Sequence, residues 1–233
     1  MERFEVLWAR AVHPARAFGE RALEAPPLGE AWRGLLLLRA PLAFLGLLLT
    51  YANFQTLYAK LADPAGEFWT FIVQRAPEAV DPAELTAALG HLPGLPSLIR
   101  MLPWLALAAP LLVLSLWLHD ATLDHLSLWL LRGLKTRRSF RITLVADAEA
   151  LKVGALGAAL GLLAELPGTG LAVTLLLVPV GIYFWILRGY ALAAWHGCPL
   201  WKGLAATILN MVLAVVLVGL MVLACVIMVI LLL

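Results

Sequence analysis

Residues 119–152 read HDATLDHLSLWLLRGLKTRRSFRITLVADAEALK. The stretch leaves one apolar run, crosses a basic linker and enters a second apolar run that carries two acids and a lysine. Outside it the chain is largely hydrocarbon: 63% of its 233 residues are hydrophobic and the mean hydropathy is +0.92. A soluble protein of that composition would have too little polar surface to cover itself, and long uncharged runs of this kind are the mark of membrane spans. The stretch therefore reads as the turn of a helical hairpin between two spans. The fold class that follows is an all-α polytopic membrane protein.

Working outward, the helix before the turn starts near Met101 and continues through Leu131, so residues 101–131 are a second span with a cytosolic extension. Residues 132–141 form a basic cytosolic turn and 142–164 a third span. Leu166-Pro167-Gly168-Thr169-Gly170 is a tight turn into a fourth span, 171–195, with Pro179 and Gly181 as a kink. A linker, His196–Lys202, leads to the fifth span, 203–233. That run is interrupted by one strongly polar residue, Asn210, placed to hydrogen-bond another helix. At ~1.5 Å per residue it exceeds a ~30 Å hydrocarbon layer, so it tilts or begins in the interface.

Upstream, the first span is 34–58, with Arg39 near its start and Tyr51, Phe54 and Tyr58 as an interfacial belt at its far end. Residues 59–100 are too polar to span. Asp63-Pro64 and Asp81-Pro82 each pair a capping acid with a proline at the first helical position, predicting short helices over 64–75 and 82–89. Residues 1–33 are a cytosolic amphipathic segment, interrupted near Pro14. Phe4, Leu7, Trp8, Ala11, Ala15, Phe18 and Ala22 lie on one face, with Arg10, Arg16, Glu20 and Arg21 elsewhere on the wheel. Such a helix suits the membrane interface or the protein's own cytosolic face. It lacks the continuous apolar core of a signal peptide.

Orientation follows from lysine and arginine placement. With the N-terminus inside, Arg3, Arg10, Arg16, Arg21, Arg33, Arg132, Lys135, Arg137, Arg138, Arg141, Arg188 and Lys202 are cytosolic, against Lys60, Arg75 and Arg100 outside. The bias predicts five spans, N-terminus in and C-terminus out. Arg132, Lys135, Arg137, Arg138 and Arg141 are then placed to contact anionic lipid headgroups of the phospholipid bilayer.

The polar hairpin admits two readings. His119, Asp120, Asp124 and His125 have the residue types of a metal site, but at ~100° per residue the histidines fall on either side of the acids. A chelating pair on one helix wants a spacing of four, and here it is six. No metal or other cofactor is implied. If the two helices fold back about residues 136–137, Asp124 comes level with Glu149, and Asp120 or Ala121 level with Lys152. Asp147 adds a fourth acid. Either His119 and His125 supply protons, Arg137, Arg138 and Arg141 reach in, or some acids hold protons. The set is then a structural ion network at a cytosolic mouth, or a pocket for a cation, a proton or a lipid headgroup. Cys198 and Cys225, the only cysteines, exclude a disulfide framework, a zinc quartet and an iron–sulfur site. There is no basic stripe for nucleic acid, and no nucleophile with its base.

The chain resembles the Yip family, five-span membrane proteins named for interaction with Ypt/Rab GTPases. The likeness rests on Asp124-His125-Leu126, Ser139-Phe140, Thr143-Leu144-Val145 and Ala148-Glu149-Ala150, with Pro167 and Gly170 following. Gly189, His196 and Lys202 lie before the last span, and His13-Pro14 with Phe18 near the N-terminus. Arg132-Gly133 stands where the family has two glycines, and Asp147 near its tyrosine. The resemblance implies a non-enzymatic protein of membrane organisation or partner binding, forming a homo-oligomer or pairing with another membrane protein. The alternative is a transporter or lipid-handling protein with a cytosol-facing pocket between the second and third spans. The alanine, leucine and arginine bias points to a bacterial inner membrane.

Overall fold

The computed structural model describes residues 4–24, 26–75, 81–134, 139–166 and 170–232. Among them every regular element is a helix. In chain order these are α1 (Phe4–Val12), α2 (Pro14–Glu24), α3 (Leu28–Ala62), α4 (Glu67–Arg75), α5 (Pro82–Gly90), α6 (Leu98–Leu130), α7 (Phe140–Val153), α8 (Ala155–Ala164), α9 (Gly170–His196) and α10 (Leu200–Leu232). Four of them, α3, α6, α9 and α10, are long and apolar enough to cross a membrane. The chain is an integral membrane protein by that measure.

The centre of the bundle is α7, which packs against α3, α6, α9 and α1. Every residue from Thr143 to Val153 is buried, including Asp147, Glu149 and Lys152. At the other extreme, nearly every large apolar side chain of α10 from Ile208 to Val229 is exposed. This inverts the soluble pattern, for a physical reason. Lipid tails are as apolar as leucine, so apolar surface gains little by leaving them, and helices associate through close packing and polar contacts.

Residues 142–164 were expected as one span, and the structure divides them. Helix α7 ends at Gly154 and α8 begins directly after it. A Cβ at Gly154 would lie 2.6 Å from Phe184 Cε2 of α9, so only glycine allows this approach. The Gly154 carbonyl also accepts a hydrogen bond from Arg39 Nη1 of α3, at 2.8 Å. The first long helix starts at Leu28 rather than Gly34 and ends at Ala62, so it absorbs part of the N-terminal segment.

The N-terminal amphipathic segment is two helices, broken where Pro14 was expected to break it, and they lie on the protein itself. Leu7, Phe18 and Ala22 belong to the core, α1 packs on α7 and α2 on α9. Arg10 was placed on the polar face, yet it is 2% exposed. Its guanidinium points inward because a buried carboxylate waits there, a partner outside the reach of local periodicity. Phe4 and Trp8 stay exposed and stack on each other.

The polar loop holds α4 and α5 near the predicted positions, with Asp81 accepting the Ala83 amide as a cap. The tyrosines expected as an interfacial belt grip that loop: Tyr51 Oη donates to Pro96 O at 2.7 Å and Tyr58 Oη to Pro93 O at 2.6 Å. Lys135, Arg137 and Arg138 of the basic turn, and residues 167–169 of the tight turn, lie outside the described residues.

The α9–α10 crossing rests on glycine against glycine. A Cβ at Gly203 would fall 2.2 Å from Gly189 O, a distance no relaxation of a flexible side chain can relieve. Gly203→Ala is therefore expected to lower the melting temperature in detergent by the equivalent of about 1–3 kcal/mol, the usual range for overpacking. Gly219→Ala, where nothing lies within 4 Å of the new carbon, is expected to leave it unchanged or slightly raised. Thermal unfolding followed by circular dichroism checks both.

Candidate functional site

The charged residues at the core separate into two clusters on opposite faces of α7. At ~100° per residue, Asp147 and Glu149 lie about 200° apart, so they cannot face the same neighbour. The expected register, Asp124 level with Glu149 and Asp120 or Ala121 level with Lys152, treated them as one set. The structure corrects it by placing Asp147, not Glu149, opposite α6.

In the first cluster, Arg188 of α9 is the hub. Its Nε lies 2.6 Å from Asp124 Oδ2 and 3.1 Å from Asp147 Oδ1, and its Nη1 lies 3.1 Å from Asp120 Oδ2. Asn210 of α10 completes the arrangement. Its Nδ2 donates to Asp124 Oδ1 at 2.6 Å and to the Asp120 carbonyl at 3.1 Å. Asp124 and Asp147 are fully buried, and Arg188 is 5% exposed. Four helices thus meet at one guanidinium, which presents its planar fork to carboxylates from two of them. His119, more exposed, stands 3.6 Å from Asp120 at the rim.

In the second cluster, Glu149 is the hub. Its Oε2 lies 2.8 Å from Arg10 Nη1 and 3.7 Å from Arg21 Nε, and its Oε1 accepts from Lys152 Nζ at 2.8 Å. Lys152 and Glu149 lie one helical turn apart, the spacing at which opposite charges on one helix meet. Lys152 extends along the backbone of α3, where a Cβ at Gly34 would lie 2.8 Å from its Cε. Arg21, on α2 outside the spans, also bonds Glu24 and Glu30. Burial works against its charge, but these carboxylates and Glu149 outweigh burial and hold its pKa above the ordinary arginine value. The N-terminal helices are therefore tied to the centre of the bundle through ion pairs.

Between α6, α7 and α9 runs a third set, of two histidines and a threonine. His125 Nδ1 and His196 Nε2 contact the same hydroxyl, Thr143 Oγ1, at 2.8 and 3.0 Å. His196 was expected as a linker residue at the membrane edge. It is instead the last residue of α9 and fully buried. Arg141 is exposed and joins neither cluster in the contacts above.

The residues that sequence reasoning left out of the network are Arg188 and Arg10. One signal for Arg188 was available: a lone arginine inside a predicted span needs a partner, and the acids of the hairpin were the unpaired carboxylates. Asn210 had been read as an interhelical hydrogen-bonding residue, and it is one.

Removing Arg188 would leave three carboxylates facing one another with only Asn210 between them. Breaking a buried pair in this way costs about 3–5 kcal/mol. Arg188→Leu is expected to abolish a cooperative melting transition or lower it strongly. Arg188→Lys is expected to recover little, since one ammonium cannot address three carboxylates from fixed directions. Differential scanning fluorimetry in mild detergent reads both variants. Comparison of the chain with known protein families, with curated proteins and with solved structures gave no match, so the site is interpreted from its own geometry.

Proposed function

We propose that the chain is a non-enzymatic integral membrane protein of Yip type that acts in membrane organisation or as a partner-binding scaffold. It crosses the bilayer five times, with its N-terminus in the cytosol, and α7 and α8 together make the third crossing. The observation that carries the reading is that each acid of the hairpin lies within salt-bridge distance of one of the protein's own basic groups. Asp120, Asp124 and Asp147 are met by Arg188 and Asn210, and Glu149 by Arg10, Arg21 and Lys152. Charges spent on joining helices α1, α2, α6, α7, α9 and α10 serve assembly. A carrier would keep some of them for its cargo.

Two further features support this reading. Docking of α1 and α2 onto the bundle fixes the exposed Phe4 and Trp8 at one end of the molecule, where aromatic side chains suit a bilayer interface or a membrane partner. Arg132 also adopts a left-handed backbone, φ 53°, in the turn after α6. A glycine would adopt that conformation without strain, so the departure from a paired-glycine turn lies in residue type and not in backbone geometry. The bacterial inner membrane, with anionic lipid at the basic turn, remains the proposed setting.

The alternative is a transporter drawing on the same charged residues, and flux separates the two. Reconstituted into sealed liposomes under imposed proton, sodium or potassium gradients, the chain is expected to give no current above protein-free vesicles. A gradient-driven current abolished by Asp147→Asn would overturn the scaffold reading. Topology is checked independently with reporters fused to either end. The N-terminal fusion is expected to report cytosol and the C-terminal one the opposite side, whereas a four-crossing chain would place both on one side.

A further inference from the structure

Arg39 stands apart from the other basic residues buried in the bundle. Arg10, Arg21, Lys152 and Arg188 each reach at least one carboxylate within salt-bridge distance. Arg39 reaches none among the described residues, and its only hydrogen bond there is the one from Nη1 to the Gly154 carbonyl. It sits five residues past Gly34, the point where Lys152 passes α3. At ~1.5 Å per residue, that is about 7–8 Å further along the helix, into the apolar part of the bundle. A guanidinium carries five N–H donors, and among the described residues one hydrogen bond, to the Gly154 carbonyl, is made by this one.

What they border is a groove. A cavity of about 650 Å³ lies between α8 and α9, with Arg39 at one wall and Trp8, Ala11 and Val12 of α1 at one end. Its remaining walls are apolar, chiefly Leu160, Leu177, Val180 and Phe184. The volume falls within the ~300–1,000 Å³ of small-ligand sites. Gly154, Gly157 and Gly181 line it, and a Cβ at Gly181 would meet nothing within 4 Å. The groove opens to the surface, since Gly181, Tyr183 and Leu160 are exposed. Tyr183 closes part of the α1 end by donating its hydroxyl to Ala11 O. The indole N–H of Trp8, at the same end, has no partner among the described residues.

We propose that this groove binds one anionic phospholipid of the surrounding bilayer, with its phosphate on Arg39 and one acyl chain along α8 and α9. Charge complementarity selects the occupant. A neutral chain would satisfy the apolar walls and leave the guanidinium with no carboxylate or phosphate at salt-bridge distance, which is costly in a membrane interior. A phosphate supplies two oxygens to a planar fork, the pairing in which arginine exceeds lysine. The long apolar channel needs an occupant with a hydrocarbon tail, which a free phosphate lacks. The site is separate from the basic turn of residues 132–141, and it stands whether or not the protein acts as a scaffold.

The test is native mass spectrometry of the full chain in mild detergent, after incubation with phosphatidylglycerol or phosphatidylcholine. The wild-type protein is expected to retain one phosphatidylglycerol at collision energies that strip all other lipid, and to retain phosphatidylcholine at least tenfold less. Arg39→Gln is expected to lower phosphatidylglycerol retention about tenfold and to remove the preference. Arg39→Lys, which keeps the charge and folds under the same electrostatic demands, is expected to keep part of it. Gly181→Leu adds a side chain at a groove wall where a Cβ meets nothing within 4 Å and is expected to abolish retention of either lipid. Equal retention of the two lipids by the wild type would overturn the anionic assignment. Wild-type retention in Arg39→Gln would do the same, and wild-type retention in Gly181→Leu would overturn the groove.

Discussion

One guanidinium, that of Arg188, holds the ends of four helices in register. Carboxylates from α6 and α7 converge on it from α9, and the carboxamide of Asn210 brings α10 to the same point. Hydrocarbon burial cannot supply this specificity, because a leucine between helices is scarcely better off than a leucine among lipid tails. The polar contacts say which helix sits beside which. The apolar surface says only that the bundle belongs in a bilayer. Buried ionic groups are weak evidence for raw stability, but here each additional carboxylate narrows the set of packings that leave no charge stranded.

The second cluster does comparable work for the N-terminal helices. Arg10 and Arg21 reach Glu149 from the opposite side of α7, so α1 and α2 are docked by charge as well as by Leu7 and Phe18. Small residues let these polar contacts form. Gly34 leaves room for Lys152, Gly154 for Phe184, and Gly203 for the backbone of α9. Close backbone approach and charge pairing therefore depend on each other. Widen one crossing and the paired atoms beyond it separate.

Much of the fold was legible in the residues because its signals are local. Apolar runs gave α3, α6, α9 and α10, Asp81-Pro82 gave the start of α5, and Pro14 gave the break between α1 and α2. The hairpin of α6 and α7 followed from the basic turn between them. What stayed hidden was long-range. Arg10 falls on the polar side of its wheel, and only the folded arrangement shows that a carboxylate lies there. The break at Gly154 comes from a ring on a helix some thirty residues later. The facing pair Asp124 and Asp147 differs from the expected Asp124 and Glu149 by two residues, enough to turn α7 over and split one network into two. The stretch thus holds the acids of both clusters, while their partners Arg188, Arg10, Arg21 and Asn210 lie elsewhere in the chain.

The position of Arg188 in the chain also sets an order of events in biosynthesis. Asp147 precedes it by 41 residues and Asp124 by more. At ~5–20 residues per second, Asp147 is made roughly two to eight seconds before its counter-charge, and Asp124 roughly three to thirteen. Asn210 follows later still. During that interval Asp120, Asp124 and Asp147 lack the arginine that joins them in the folded chain. Glu149 faces no such delay, since Arg10 and Arg21 are made first. The nascent chain therefore carries one half-finished charge cluster and one complete one until α9 is made.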